Sequence, residues 1–252
     1  MSTKQDIEFA DIIDRILNAD DSDVWDISRE YFDNIGCDTL LYAYIDTVNH
    51  SLEDAPFTYR STAPDSWFEH YFASGYHIHD HVAVMRKAGH RKAITLGSMM
   101  EPPEGHRTKI SRQLLNESGE VGFKSTLNFW LPGQTGLGEH DIHAITIGTS
   151  RNPVEMRKTY ERYGKEIGVV AQMMHNRLSH SMRAMSYKPL TNRETQCLTW
   201  VALGFRADRI ADKIGIATPT VNFHLSNARK KLKAKTLYEA LGKAINLKIV
   251  TL

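Results

Sequence analysis

Apolar residues recur at helical spacing near the start of the chain. Phe9, Ile12, Ile13 and Ile16 fall on one face, the mark of an amphipathic helix. Val24, Ile27, Tyr31 and Ile35 predict a second helix, closed by Gly36. The pattern then changes. Thr39 to Ile45 (TLLYAYI) is a short apolar and aromatic run that predicts a strand, and Phe57 to Arg60 is a candidate for another. Pro64-Asp65 opens a helix holding Trp67, Phe68, Tyr71 and Phe72, and a short helix is expected around His79 to Met85. Thr108 is placed to cap a helix through Ile110, Leu114 and Leu115 that stops near Gly119. Lys124 to Leu131 and Asp141 to Thr149 read as two strands joined by a Gly-rich turn at Pro132 to Gly138. Asn152-Pro153 is a cap followed by Pro at the first helical position, and predicts a long helix from Val154 to Met182. This order fits an α+β fold, with an α-β-α sandwich around an antiparallel sheet.

The last quarter carries only helical periods. Thr191 and Glu194 have capping-box spacing, followed by the apolar face Cys197, Leu198, Val201 and Ala202 and a stop at Gly204. Ile210, Ala211 and Ile214 mark a short helix ended by Gly215. Thr218 is the expected N-cap of the next, with Pro219 at its first position. Val221, Leu225, Ala228 and Leu232 then form one buried stripe, while Asn222, Phe223, Ser226, Arg229, Lys230 and Lys233 face away from it. A last helix runs from Leu237 to about Leu247. Two short helices around a Gly turn, the second polar and basic outside, make a helix-turn-helix inside an all-α four-helix domain.

Composition sharpens this division. The 252 residues carry a formal net charge of +1, which by itself argues against a nucleic-acid partner. Yet Leu190 to Leu252 holds eleven Lys/Arg against four Asp/Glu, a balance of +7, leaving −6 on the first 189 residues. A basic tail on an acidic body implies two domains with different partners. The expected division is 1–178 as the first domain, 179–189 (SHSMRAMSYKP) as linker, and 190–252 as the basic second domain. Cys37 and Cys197 are the only cysteines, which suits a reducing compartment. No apolar leader or run of about 18 apolar residues is present, so a soluble, cytoplasmic protein is expected.

A major groove about 12 Å wide admits one helix. Small polar side chains near its start reach base edges, and flanking cations meet phosphates. Asn222 and Ser226 are therefore the candidates for base edges, and Thr218, Thr220, Arg229 and Lys230 for phosphates. The residues Leu190-Thr191-Asn192-Arg193-Glu194, Cys197-Leu198-Thr199-Trp200, Gly204, Ile210-Ala211, Thr220-Val221-Asn222-Phe223-His224 and Lys231-Leu232 resemble the LuxR-type, or GerE-like, DNA-binding domain. Arg209 and Phe205 depart from the Glu and Lys usual there. The resemblance implies a dimer on a roughly two-fold symmetric operator in double-stranded DNA.

Domains of this type follow several kinds of sensor. A phosphorylated receiver is excluded, because Asp20-Asp21 falls between two helices and not after a strand. Trp67-Phe68-Glu69-His70-Tyr71-Phe72, Gly75-Tyr76, Asp80-His81-Val82 and Gly122-Phe123 instead resemble the autoinducer-binding domain of quorum-sensing LuxR-type regulators. That resemblance implies a pocket for an acyl-homoserine lactone or an analogue. Trp67 would donate to the lactone carbonyl, Asp80 would accept from the ligand amide, and Tyr71 would line the wall. Two departures bear on the pocket: Ala63 stands where the family has a Tyr, and Leu96 where it has a second Trp. Tyr42, Tyr44 and Tyr59 are candidates to supply the missing hydroxyl.

His77, His79 and His81 alternate, with His70 and His90 nearby. They read as a solvated face rather than a zinc site, and no metal or cofactor other than the signal is expected. No phosphate-binding loop, HExxH or nucleophile elbow occurs, so no catalytic residue is assigned. The leading expectation is a ligand-responsive transcription factor acting as a homodimer. Two rivals stay open: a regulator of this type that senses no ligand or a non-lactone one, and a metal-dependent signal-degrading enzyme fused to a DNA-binding domain.

Overall fold

The computed structural model describes residues 8–46, 57–80, 94–96, 108–132 and 141–251. The chain divides into two compact units, Met1–Ser179 and His180–Leu252.

In the first unit, helices α1 (Phe9–Asn18) and α2 (Asp21–Asn34) lead into strand β1 (Thr39–Asp46). Then follow β2 (Phe57–Ser61), α3 (Asp65–Ala73), α4 (Tyr76–His79) and β3 (Ile94–Leu96). Helix α5 (Lys109–Glu120), β4 (Ser125–Pro132), β5 (Asp141–Thr149) and the greater part of α6 (Pro153–Ala184), up to Ser179, complete it. The five strands form one antiparallel sheet in the order β2-β1-β5-β4-β3.

Strand alternation sends side chains to two covered faces. Leu40, Tyr42, Leu127, Phe129, Ile145 and Ile147 are buried on one face, where the Tyr42 hydroxyl meets His175 of α6 at 2.9 Å. Helix α6 offers Ile167, Val170, Ala171, Met174 and Leu178 as a buried stripe. Two polar ties fasten the first helices to it. The Tyr31 hydroxyl donates to Glu166 at 2.8 Å. Arg177 closes the end of α1, donating to the carbonyls of Ile16 and Ala19 at 2.6 Å each and to Asp21 at 2.9 Å. Those carbonyls have no partner within their own helix. On the other face lie α3, α4 and α5, giving the expected helix–sheet–helix sandwich.

Gly122 shows why a Gly-Phe pair precedes β4. Its φ is +97°, and a Cβ there would collide with the Thr39 side chain. The Thr39 hydroxyl instead donates to the Gly122 carbonyl at 3.1 Å, and Phe123 turns inward.

The second unit contains α7 (Asn192–Ala202), α8 (Ala207–Ile214), α9 (Thr218–Lys231) and α10 (Leu237–Asn246). Cys197, Leu198, Ile210, Ala211, Val221, Leu225, Ala228, Leu232, Ala240 and Ala244 form its core. The expected capping box is present: Thr191 accepts from the Glu194 amide, and Glu194 accepts from the Thr191 amide at 2.8 Å. Gly215, with φ +69°, ends α8 in the left-handed conformation that glycine favours and starts the turn into α9.

Several boundaries differ from the sequence reading. Helix α6 runs on through Ala184, so the first part of segment 179–189 is helical. The N-cap of α9 is Ala217, which places Thr218 inside the first turn. Helix α4 ends at His79, before Asp80, and positions 81–85 lie outside the described residues. The three-residue strand β3 has no counterpart in the sequence reading.

Candidate functional site

Between the sheet and α3 and α5 lies a cavity of about 150 Å³. Its apolar wall includes Leu41, Ala43, Ile45, Phe57, Phe68, Leu114, Leu115, Phe123 and Ala144. Trp67, Tyr71 and Asp80 join that wall. Trp67 and Tyr71 sit one turn apart on α3, and the Asp80 backbone turns out of α4 into an extended conformation. The Tyr71 hydroxyl donates to Asp80 Oδ2 at 3.0 Å. Burial and the adjacent carboxylate push the Tyr71 pKa well above its ordinary value. The phenol therefore stays a donor at any physiological pH.

A second polar group occupies the sheet floor. Thr126, Asn128 and Thr146 all line the cavity. Thr146 donates to Asn128 Oδ1 at 2.7 Å, and Asn128 Nδ2 donates to Thr126 at 3.1 Å. A primary amide has two donors and two acceptor sites, so each end of Asn128 has capacity left, and its side chain is 4% exposed as a residue.

The structure brings Trp67, Tyr71 and Asp80 together, but not the whole expected set. Tyr59 does not line the cavity. Its ring stacks on Phe68 with centroids 4.0 Å apart, and its hydroxyl donates to Asp65. Ala63 is buried in the cluster around Trp67 and likewise does not reach the wall. Tyr42 belongs to the opposite face of the sheet, bonded to His143 and His175, and Tyr44 packs on His143. Alternation fixes this, because Leu41, Ala43 and Ile45 take the cavity side. Leu96 pairs with Leu127 in the sheet, and its side chain lies outside what is described. The sequence reading missed Thr126, Asn128 and Thr146. Their signal was slight: Thr126 and Asn128 stand two apart in a mostly apolar β4, and Thr146 is a single polar residue between Ala144 and Gly148 on its face of β5.

Helix α5 is latched beside Trp67. Glu117 accepts from the Tyr76 hydroxyl at 2.7 Å, from Gln113 at 2.8 Å and from His70 Nε2 at 2.7 Å. The Tyr76 bond first, then those of Gln113 and His70, hold its carboxyl down at about 2. A carboxylate with a depressed folded pKa gives stability that is complete above its ordinary value and fades as pH falls toward the folded one. Thermal melting should therefore lose this contribution between about pH 4.5 and about pH 2. Glu117→Gln should flatten that acid limb; an unaltered limb would mean that other carboxylates set it.

Among the described residues, no three of His, Cys, Asp and Glu gather as a metal-binding group. His81 and His90 lie outside the described residues.

In the second unit, α9 turns Val221, Leu225, Ala228 and Leu232 into the core. Thr220, Asn222, Phe223 and Lys230 are exposed, and Thr218, Ser226 and Arg229 half-buried. Asn222, Ser226 and Arg229 lie at i, i+4 and i+7, on one side of the helix. Arg229 also donates to the Lys235 carbonyl at 2.9 Å, tying α9 to the following turn. Lys231 points inward to Glu194 at 2.8 Å. The departure at Phe205 is structural: its ring meets Trp200 edge-on at 5.1 Å, and the Lys213 ammonium sits 4.7 Å from it. Arg209 is exposed, with Asp212 at 4.0 Å.

No helix among the described residues is long and apolar enough to cross a membrane. A family model for autoinducer-binding domains matches residues 20–178, and one for bacterial regulatory proteins of the luxR family matches residues 188–244. The transcriptional activator VanR of Vibrio anguillarum is 30% identical over 190 residues, covering 72% of each chain. The transcriptional activator LuxR of Aliivibrio fischeri is 24% identical over 93% of this chain and 91% of its own length. A crystal structure of Escherichia coli SdiA shares the fold with a TM-score of 0.53 and 14% identity, covering 97% of this chain and 98% of that one. The chain thus belongs to the LuxR family of bacterial transcriptional regulators, with an autoinducer-binding domain ahead of a helix-turn-helix DNA-binding domain.

Proposed function

We propose that this regulator is a receptor, not an enzyme, whose first unit binds an acylated signal of the homoserine-lactone type and whose second unit binds a roughly two-fold symmetric operator as a homodimer in the cytoplasm. The observation that carries the ligand reading is the cavity wall, where an indole, a phenol and a carboxylate meet inside an apolar enclosure. A half-buried carboxylate has room for more than one donor, and an indole N–H wants an acceptor. A ligand with an amide N–H and a carbonyl meets both needs. The Thr126–Asn128–Thr146 floor favours a chain that also bears an oxygen, a role that Tyr42, Tyr44 and Tyr59 do not take. A solved structure holds SdiA in complex with octanoyl-rac-glycerol, and acylglycerols are the non-lactone alternative to test beside lactones. Mass spectrometry of small molecules released from protein made in its native host identifies the class. A released acyl lactone supports the reading. No released molecule, with an unchanged melting temperature across both ligand panels, refutes it.

On α10, Tyr238, Leu241 and Ile245 follow at i, i+3 and i+7, and Tyr238 is 85% exposed. That apolar stripe supports pairing of two second units through α10. Asn222 and Ser226 contact base edges, and Thr218, Thr220, Arg229 and Lys230 contact phosphates. Lys230→Ala should weaken binding to all duplexes alike and reduce the slope of log K against log salt by about 1. Arg229→Ala should do the same, and should also lower the melting temperature of the second unit, because its bond to Lys235 is lost. An unchanged slope for either variant removes that residue from the phosphate contacts.

A further inference from the structure

The exposed face of α9 has one large apolar side chain on it. Phe223 is 61% exposed. It lies two residues after Val221 and two before Leu225, both buried, so the helical period points it directly away from the core. Pro219, Ser226 and Lys230 lie at i−4, i+3 and i+7 from it, and together the four form the crest of the helix. Among the described residues, the only ring beside it is His224, edge-on with centroids 5.8 Å apart. Lone exposed apolar residues are common on protein surfaces and carry no message by themselves. This one stands at the middle of the crest, in the first half of the helix that a helix-turn-helix lays in the major groove.

The groove restricts what a phenyl ring can meet there. Base edges in the major groove offer hydrogen-bond donors and acceptors, and a single apolar feature, the C5-methyl of thymine. Phosphates and polar edges gain nothing from a phenyl ring. We propose that Phe223 is a specificity-determining residue that packs on a thymine methyl in each operator half-site. The inference rests on the DNA-binding reading above and extends it from the polar residues Asn222 and Ser226 to an apolar contact. Phe223 then requires a methyl group at one position, and Asn222 and Ser226 read hydrogen-bonding edges beside it.

Base chemistry allows a direct test. Duplexes that bind the full-length protein are selected from a randomised pool. Each thymine of the recovered half-site is then replaced by uracil, which differs only by loss of the methyl. One position should weaken binding by about threefold to tenfold, the size expected for one buried methyl or slightly more. That loss should vanish in Phe223→Ala and persist in part in Phe223→Leu. 5-Methylcytosine at the same position should bind better than cytosine to the wild type and equally to Phe223→Ala. The absence of any uracil-sensitive position, or a sensitivity that survives in Phe223→Ala, overturns the proposal. Recovery of no enriched duplex is a separate outcome: it overturns the DNA-binding reading, and this contact with it.

Discussion

Lys231→Met should destabilise the second unit by about 3–5 kcal/mol, the usual consequence of removing one partner from a buried ion pair. The pair is unequal. The Glu194 side chain is only 4% exposed, and Lys231 lies 2.8 Å away with 27% exposure. Burial alone would raise the Glu194 pKa. The Lys231 ammonium and the Thr191 amide and hydroxyl outweigh it and leave the pKa below its ordinary value. Without Lys231, a carboxylate that cannot reach water keeps only the capping contacts to Thr191. The reverse change, Glu194→Gln, keeps an oxygen that accepts from the Thr191 amide and leaves the lysine free to rehydrate, so it should cost only about 1–2 kcal/mol. A domain of this size is stable by roughly 4–11 kcal/mol. Lys231→Met should therefore leave the second unit close to unfolding and DNA binding severely reduced, while ligand binding in the first unit persists. Chemical denaturation of both single variants and of the double variant measures this. The double variant should be more stable than Lys231→Met alone. Equal losses for the two single variants would mean that the carboxylate left behind by Lys231→Met carries no extra cost.

The pH dependence has a definite sign. Glu194 is depressed in the folded state, so its stabilisation is complete above the ordinary carboxylate range and is lost as pH falls through the folded value. Lys231→Met should reverse that dependence, because burial then lifts the carboxyl's folded pKa and stability falls as pH rises through it.

The second unit was legible because its determinants are local. Thr191 and Glu194 stand three residues apart and make the capping box themselves. Val221, Leu225, Ala228 and Leu232 mark their own buried face by spacing. Thr218 misled because a hydroxyl ahead of Pro219 resembles a cap, yet Ala217 holds the extended cap conformation. The end of the long helix α6 was nearly right: spacing placed it at Met182, and the helix runs two residues further, to Ala184.

The cavity was less legible because its geometry depends on strand pairing. Leu41 faces Thr146, and Ala43 faces Ala144, across the β1–β5 register. This register sends Tyr42 and Tyr44 to the far face, and no property of either tyrosine signals it. Helices cover both faces of the sheet, so hydrophobicity along β4 could not show which residues line the cavity. Trp67, Tyr71 and Asp80 were named through the resemblance of their segment to autoinducer-binding domains. Asn128 needed the sheet.

Asp80→Asn should weaken binding of an N-acyl homoserine lactone by about tenfold to hundredfold, because hydrogen bonds to a charged acceptor contribute roughly 1.5–3 kcal/mol. The substitution keeps the shape and exchanges an acceptor-only group for one that also presents donors. A ligand N–H directed at the old carboxylate then meets a weaker acceptor or a repelling N–H. Tyr71→Phe should change affinity far less. A carboxylate has room for several donors, so loss of the Tyr71 bond at 3.0 Å leaves the ligand's contact in place. The matched ester, which has no N–H, separates direct contact from support of the wall. Wild type should prefer the amide strongly, and Asp80→Asn should bind amide and ester almost alike. If Asp80→Asn weakens both ligands equally, Asp80 acts by holding Tyr71 and the exit of α4 in place, and the ligand's polar end is read by Trp67 and the Asn128 floor instead.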